Sequence, residues 1–193
     1  MKLIRMMGLL IVLNVLAGFS GWHVMSYFLS QPEDSLPEDS VVVAAEPLCA
    51  SCVFVTDAGF TNERSNPILT VQVYDADKSL VASYNSLSGR AYTQHLDRNI
   101  SGNESPSPNG VYLISPETVG YHPETGGVFR PYEPTFTTQR SLLGFHVDPS
   151  WGLNNGEDGT LGCIAFKTIS DYLAFNAQIN ELGITTLIID RND

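Results

Sequence analysis

The chain is predicted to fold as a mainly β domain, a sandwich or barrel with one or two short helices, preceded by an N-terminal hydrophobic helix. Three observations carry this. Short runs of β-branched and aromatic residues alternate with turn clusters from residue 53 to the C-terminus. Only one stretch shows helical periodicity. Apolar content of 43% with 16% charged residues is that of a globular chain. At 193 residues there is room for one domain and a short tail.

The first segment, 1–29, reads as a signal peptide or signal anchor. Lys2 and Arg5 precede an apolar run at 6–19 that is broken only by Asn14 and glycines, the pattern of a secretory signal. Apolar character continues through Trp22 and Tyr27 to Leu29, long enough to span a bilayer, so cleavage and retention both stand open. Either way the remainder is expected outside the cytoplasm: periplasmic or in the cell envelope, and anchored to the inner membrane if the segment is retained. Residues 30–47 repeat Pro-Glu-Asp-Ser and read as an acidic, solvated linker. The catalytic domain is expected over 48–193.

Within that domain, 53–55 is strand-like. Residues 68–74 alternate, 75–78 read as a hairpin turn, and 80–84 as the returning strand. Further strands are expected at 110–114, 141–147 and 185–189. The helix is expected over 169–182, with Ser170 as N-cap, Gly183 as C-cap, and Tyr172, Leu173, Phe175, Ala177, Ile179 and Leu182 as its apolar face. Residues 117–139, rich in Gly, Pro and aromatics, read equally as a lid or as an irregular hairpin. Cys49 and Cys52, just before the first strand, read as a local disulfide or two idle thiols. No second Cys/His pair has zinc-site spacing. A net charge of −11 without any basic stripe argues against nucleic acid as partner.

The chemistry centres on Gly144-Phe145-His146-Val147-Asp148 and Gly159-Thr160-Leu161-Gly162-Cys163-Ile164. One histidine at a strand end lies seventeen positions ahead of a cysteine that follows a glycine. A thiol attacks carbonyls as thiolate, and a neighbouring imidazole is the usual means of forming one near neutral pH. Cys163 is therefore the candidate nucleophile and His146 its base. The imidazole is oriented either by Asp148, two residues on, or, as favoured here, by a main-chain carbonyl. Thr160 and Gly162 are candidates for shaping an oxyanion and substrate pocket, chiefly through backbone N–H groups. Arg130 is either a contact for a substrate carboxylate or, as favoured here, a solvated surface residue. The pattern points to acyl transfer through a thioester.

The same residues resemble the active-site signature of the L,D-transpeptidases of bacterial cell walls (the YkuD-type catalytic domain). That family carries a histidine, a variable loop, then Ser/Thr-His-Gly-Cys and an apolar residue. Here Thr160-Leu161-Gly162-Cys163-Ile164 fills the last part. Leu161 stands where a second histidine is usual, Val147 where glycine is common, and Ala165 where an arginine is usual. The chain is thus similar to divergent members that keep only Ser/Thr-x-Gly-Cys. Upstream, Pro106-Ser107-Pro108-Asn109-Gly110-Val111-Tyr112 resembles the family's Thr-Pro-x-Gly-x-Tyr/Phe segment.

The resemblance implies a β-rich fold and a monomeric enzyme. Its Cys163 would form a thioester with peptidoglycan stem tetrapeptides, release D-alanine, and pass the acyl group to an acceptor amine. It implies no metal and no organic cofactor. Two alternatives remain: an L,D-carboxypeptidase or other peptidoglycan hydrolase on the same fold, and a non-catalytic envelope-binding module with an inert cysteine.

Overall fold

The computed structural model describes residues 49–119 and 123–192. The expected hydrophobic helix at 1–29, the linker at 30–47, and residues 120–122 of the long loop lie outside them. Among the described residues, no helix is long and apolar enough to cross a membrane.

The strands are β1 (Cys52–Thr61), β2 (Pro67–Tyr74), β3 (Leu80–Ser88), β4 (Gly110–Ile114), β5 (Phe129–Pro134), β6 (Gly144–Val147), β7 (Ile164–Phe166) and β8 (Thr186–Ile189). They close a barrel in the order β1-β2-β3-β7-β6-β5-β4-β8, so the domain is mainly β as expected, and a barrel. Two neighbouring pairs run parallel, β1 with β8 and β6 with β7; the others are antiparallel. The Cys49–Cys52 disulfide closes the chain just ahead of β1, and Cys52 is fully buried at the strand's start.

The helix α1 (Ile169–Glu181) packs against β2, β3, β6 and β7. Its N-cap is Thr168, whose side chain accepts from Asp171 N–H, rather than Ser170; Gly183 follows the C-terminus with φ +63°. Tyr172, Phe175 and Ile179 are buried as the periodicity demands, whereas Leu173 points out and is exposed. Phe175 joins Phe145 (centroids 4.7 Å apart) and Phe166 (4.9 Å), and Tyr132 lies 5.0 Å from Phe145. This aromatic cluster locks the helix to the β5–β6–β7 wall. Truncating Phe175 to alanine would cost about 3–5 kcal/mol.

Two strands escape the alternation rule. Inside the long loop, 129–134 forms β5 despite Pro131. It pairs with β6 through Phe129–Pro131 and with β4 through Tyr132–Pro134, so the proline sits where the strand changes partner. β7 is three residues long and buried throughout, with no alternation to read.

Candidate active site

A parallel strand pair needs a crossover of a dozen or more residues. Residues 148–163 provide it between β6 and β7, as an irregular loop held by its own polar groups. The Asp148 carboxylate accepts from Ser150 N–H (2.8 Å) and Gly159 N–H (3.0 Å), drawing the two ends of the loop together. Asp158 accepts from Asn62 at 2.9 Å, from Gly152 N–H at 2.5 Å and from Asn66, fastening the loop to the β1–β2 turn. Thr160 N–H donates to Gly89 O at 3.0 Å, docking the loop's end on the end of β3.

The register of β6 and β7 pairs Phe145 with Ile164, His146 with Ala165 and Val147 with Phe166. Side chains alternate along a strand, so Phe145, Val147, Ile164 and Phe166 face the core. His146 and Ala165 face the other way. Cys163 lies two positions before Ala165, one residue ahead of β7, and the Gly144 N–H favours its ionised form. The base expected from the sequence thus lies in β6, and the expected nucleophile sits one residue ahead of β7, two positions before the residue that pairs with His146.

His146 is buried, and its ring stacks on Phe129, its partner across β5–β6 (centroids 6.4 Å, planes 26° apart). Nδ1 lies 2.8 Å from Val147 O. A carbonyl oxygen only accepts, so Nδ1 carries the proton and Nε2 the free lone pair. Burial pushes the imidazole below its usual pKa, with the Val147 hydrogen bond opposing. The ring is a neutral base whose tautomer is set by a main-chain carbonyl. Asp148 does not serve this purpose. Its carboxylate is engaged by Ser150 and Gly159, and burial pushes its pKa up in spite of those two N–H groups.

The Cys163 thiol is partly exposed. Its S–H faces Leu142 O at 3.7 Å, and burial pushes its pKa up to about 11, against the lowering by Gly144 N–H and by Arg140. The resting pair is therefore thiol and neutral imidazole, not the thiolate expected from the sequence. Desolvation of the charged form outweighs the one N–H donor and the nearby cation. Leu142 has φ +56°, a left-handed conformation costing a non-glycine residue about 1–2 kcal/mol, and its side chain is 90% exposed. Leu161, two residues ahead of Cys163, is also exposed, at 65%.

Thr160 and Gly162 shape the turn that presents the sulfur, but their own N–H groups are occupied. Gly162 N–H donates to Thr160 Oγ1 (3.0 Å), and Thr160 N–H goes to Gly89. The threonine hydroxyl also accepts from Gly89 N–H (2.9 Å) and donates to Cys163 O (2.8 Å). The oxyanion role expected of these two N–H groups is therefore not theirs; their hydrogen bonds hold the turn. Gly162 O in turn accepts from Ser88 Oγ (2.9 Å) and Ser107 Oγ (2.6 Å). The two segments that carry the family resemblance meet at this carbonyl.

Sequence reasoning missed Arg140. Burial pulls its guanidinium below the usual range, while Tyr132, Cys163 and Tyr112 oppose that; no spacing rule pointed to it, because it reaches the site from the β5–β6 connection. Arg130, expected at the surface, is buried and donates to Ser115 O, Asn176 and Asn180, holding α1 against the sheet. Two grooves, of about 570 Å³ beside His95 and Asn109 and about 350 Å³ beside Phe60 and Trp151, are lined by neither Cys163 nor His146. Among the described residues, no group of three or more His, Cys, Asp or Glu is arranged to hold a metal ion.

A thiol just ahead of β7 and, on the paired strand β6, an imidazole with a free Nε2 are groups of the kind used in acyl transfer. A scan against protein-family models, a search of curated proteins and a search of solved structures each find no match to this chain.

Proposed function

We propose that the chain is an exported cysteine L,D-transpeptidase acting on peptidoglycan stem tetrapeptides. The observation that supports this reading is the β6–β7 register, in which His146 pairs with Ala165, two positions after Cys163, across a parallel pair joined by the loop bearing Thr160-Leu161-Gly162. The resemblance noted in the sequence supplies the substrate class.

Because thiol and imidazole are both neutral at rest, attack and proton transfer are coupled. The Cys163 S–H proton passes to His146 Nε2 as sulfur bonds to the carbonyl carbon of the third stem residue. The protonated imidazole then returns that proton to the nitrogen of the departing D-alanine, and a thioester remains. An acceptor amine, deprotonated by His146, attacks the thioester, and the sulfur leaves and regains its proton. The Gly144 N–H that faces the sulfur supports negative charge developing there.

Water in place of the amine gives L,D-carboxypeptidase chemistry. Leu161, exposed where the resembling family usually has a second histidine, is what keeps this second reading.

Incubating purified cell-wall sacculi with the protein and with Cys163→Ala, then analysing the muropeptides, tests the proposal. The expected result is Cys163-dependent release of D-alanine with new cross-links. Trimmed tripeptides without cross-links would select the carboxypeptidase, and identical muropeptides with both proteins would overturn both enzymatic readings.

A further inference from the structure

Arg140 is a buried cation, 6% exposed, and among the described residues no carboxylate pairs with it. Its hydrogen bonds go to neutral oxygens. Nη1 donates to Ser105 Oγ (2.9 Å) and Ser105 O (3.1 Å), with longer approaches to Arg98 O (3.4 Å) and Ile100 O (3.5 Å). Nη2 donates to Leu161 O at 2.9 Å. A methyl group added at Gly162 would run into Nη2, so the guanidinium lies flat against the residue before the nucleophile. Gly162 has φ +123°, and the absent side chain is what lets the cation approach the turn so closely.

Burying a full charge without a counter-ion is costly, and carbonyl dipoles offset it only in part. A protein retains such a group where a negative charge forms beside it. The neighbouring groups able to carry one are the Cys163 sulfur and the phenols of Tyr132 and Tyr112. Both phenols are pushed up by burial, Tyr112 donates to Pro108 O and Tyr132 pairs with Ser107 Oγ, so both stay neutral. His146, the other titratable group here, is held neutral as well.

We propose that Arg140 is the counter-ion of the Cys163 thiolate, a positioning residue that holds the Leu161–Gly162 turn and favours the ionised sulfur as it forms. Arg140 reaches the turn just before the sulfur from the β5–β6 connection. This rests on Cys163 being the nucleophile, but its test reads the thiol in the absence of substrate and so fails independently of the muropeptide result.

The test is the rate of iodoacetamide alkylation of Cys163 against pH in the full chain, for wild type, Arg140→Gln and Arg140→Lys, with thermal stability measured alongside. Below the thiol pKa the rate follows the thiolate fraction, so losing the cation should slow alkylation about tenfold at pH 9 in R140Q. R140K keeps a cation without the guanidinium fork; it should stay within about threefold of wild type although it melts lower. A purely structural role predicts the opposite, since loosening the turn exposes the sulfur and speeds alkylation in both variants. R140Q alkylating as fast as wild type, or faster, overturns the proposal. If R140Q does not fold, R140K decides alone: a rate within threefold supports the counter-ion, and a tenfold loss or any acceleration overturns it.

Discussion

The Ser107 hydroxyl donates to the Gly162 carbonyl at 2.6 Å, tying the segment before β4 to a turn 55 positions away in the chain. Ser107 also pairs with Tyr132 Oη at 2.7 Å, so the turn that presents Cys163 rests on a polar chain reaching into the aromatic core. The position of Cys163 is thus fixed in part by hydrogen bonds from residues distant in the chain.

Thr160→Val tests that fixation directly. It removes the acceptor of Gly89 N–H and Gly162 N–H and the donor to Cys163 O, leaving buried polar groups unpaired in an unchanged volume. Denaturant unfolding should show a loss of about 2–3 kcal/mol. A loss below about 0.5 kcal/mol would mean the hydroxyl does not organise the turn.

His146→Gln keeps the bulk of the side chain and removes the base. D-alanine release from tetrapeptide muropeptides should fall roughly 10²–10⁴-fold, as in Cys163→Ala, while stability changes little. A His146→Gln protein with near-normal turnover would rule out the general-base role.

The wild-type thiol, raised to about 11, should resist alkylation at neutral pH. At pH 7 iodoacetamide should modify Cys163 on the order of a hundred times more slowly than free cysteine, and the rate should still be climbing above pH 9. A plateau reached by pH 8 would show a thiolate stabilised in the resting protein, against the desolvation argument.

Acid stability follows from the lowered His146 pKa. The unfolded imidazole takes up a proton near its ordinary value of 6.5, whereas the folded one does so only at lower pH. The unfolded state therefore binds more protons in that interval. Stability should be full above pH 6.5, fall as the pH drops toward the folded value, and stop falling on this account below it. His146→Gln should flatten that part of the stability–pH curve, measured by denaturant titration at successive pH values.

Gly144→Ala probes the close approach of β5. The added methyl would meet the Phe129 ring and lie 2.8 Å from Arg130 O, so a loss of about 1–3 kcal/mol is expected, with the His146–Phe129 stack disturbed. Equal unfolding midpoints for the two proteins would contradict this packing.

Residues 68–74 and 110–114 announce their strands because one face is buried and the pleat forces alternation; Tyr172, Phe175 and Ile179 announce the helix in the same way. Pro131 conceals β5, since its cost disappears only where a strand exchanges partners. Ile164, Ala165 and Phe166 conceal β7, because a strand buried on both faces loses its period. The favoured surface reading of Arg130 failed for a related reason: lack of pattern suggested a solvated cation, while its actual partners, Asn176 and Asn180, lie far along the chain. For His146 the favoured main-chain carbonyl agrees with the structure, the Asp148 carboxylate being engaged by Ser150 and Gly159.

By itself the sequence determined the sheet-rich class and the helix near the C-terminus, and it singled out Cys163 and His146 as candidates, since these follow from local periodicity and the chemistry of residue types. Only the tertiary structure decided that the barrel closes through parallel contacts, that Val147 O rather than Asp148 sets the imidazole tautomer, and that burial favours the neutral forms of the Cys163 thiol and the His146 imidazole. Those outcomes depend on desolvation and on contacts between distant segments. No window of sequence contains either.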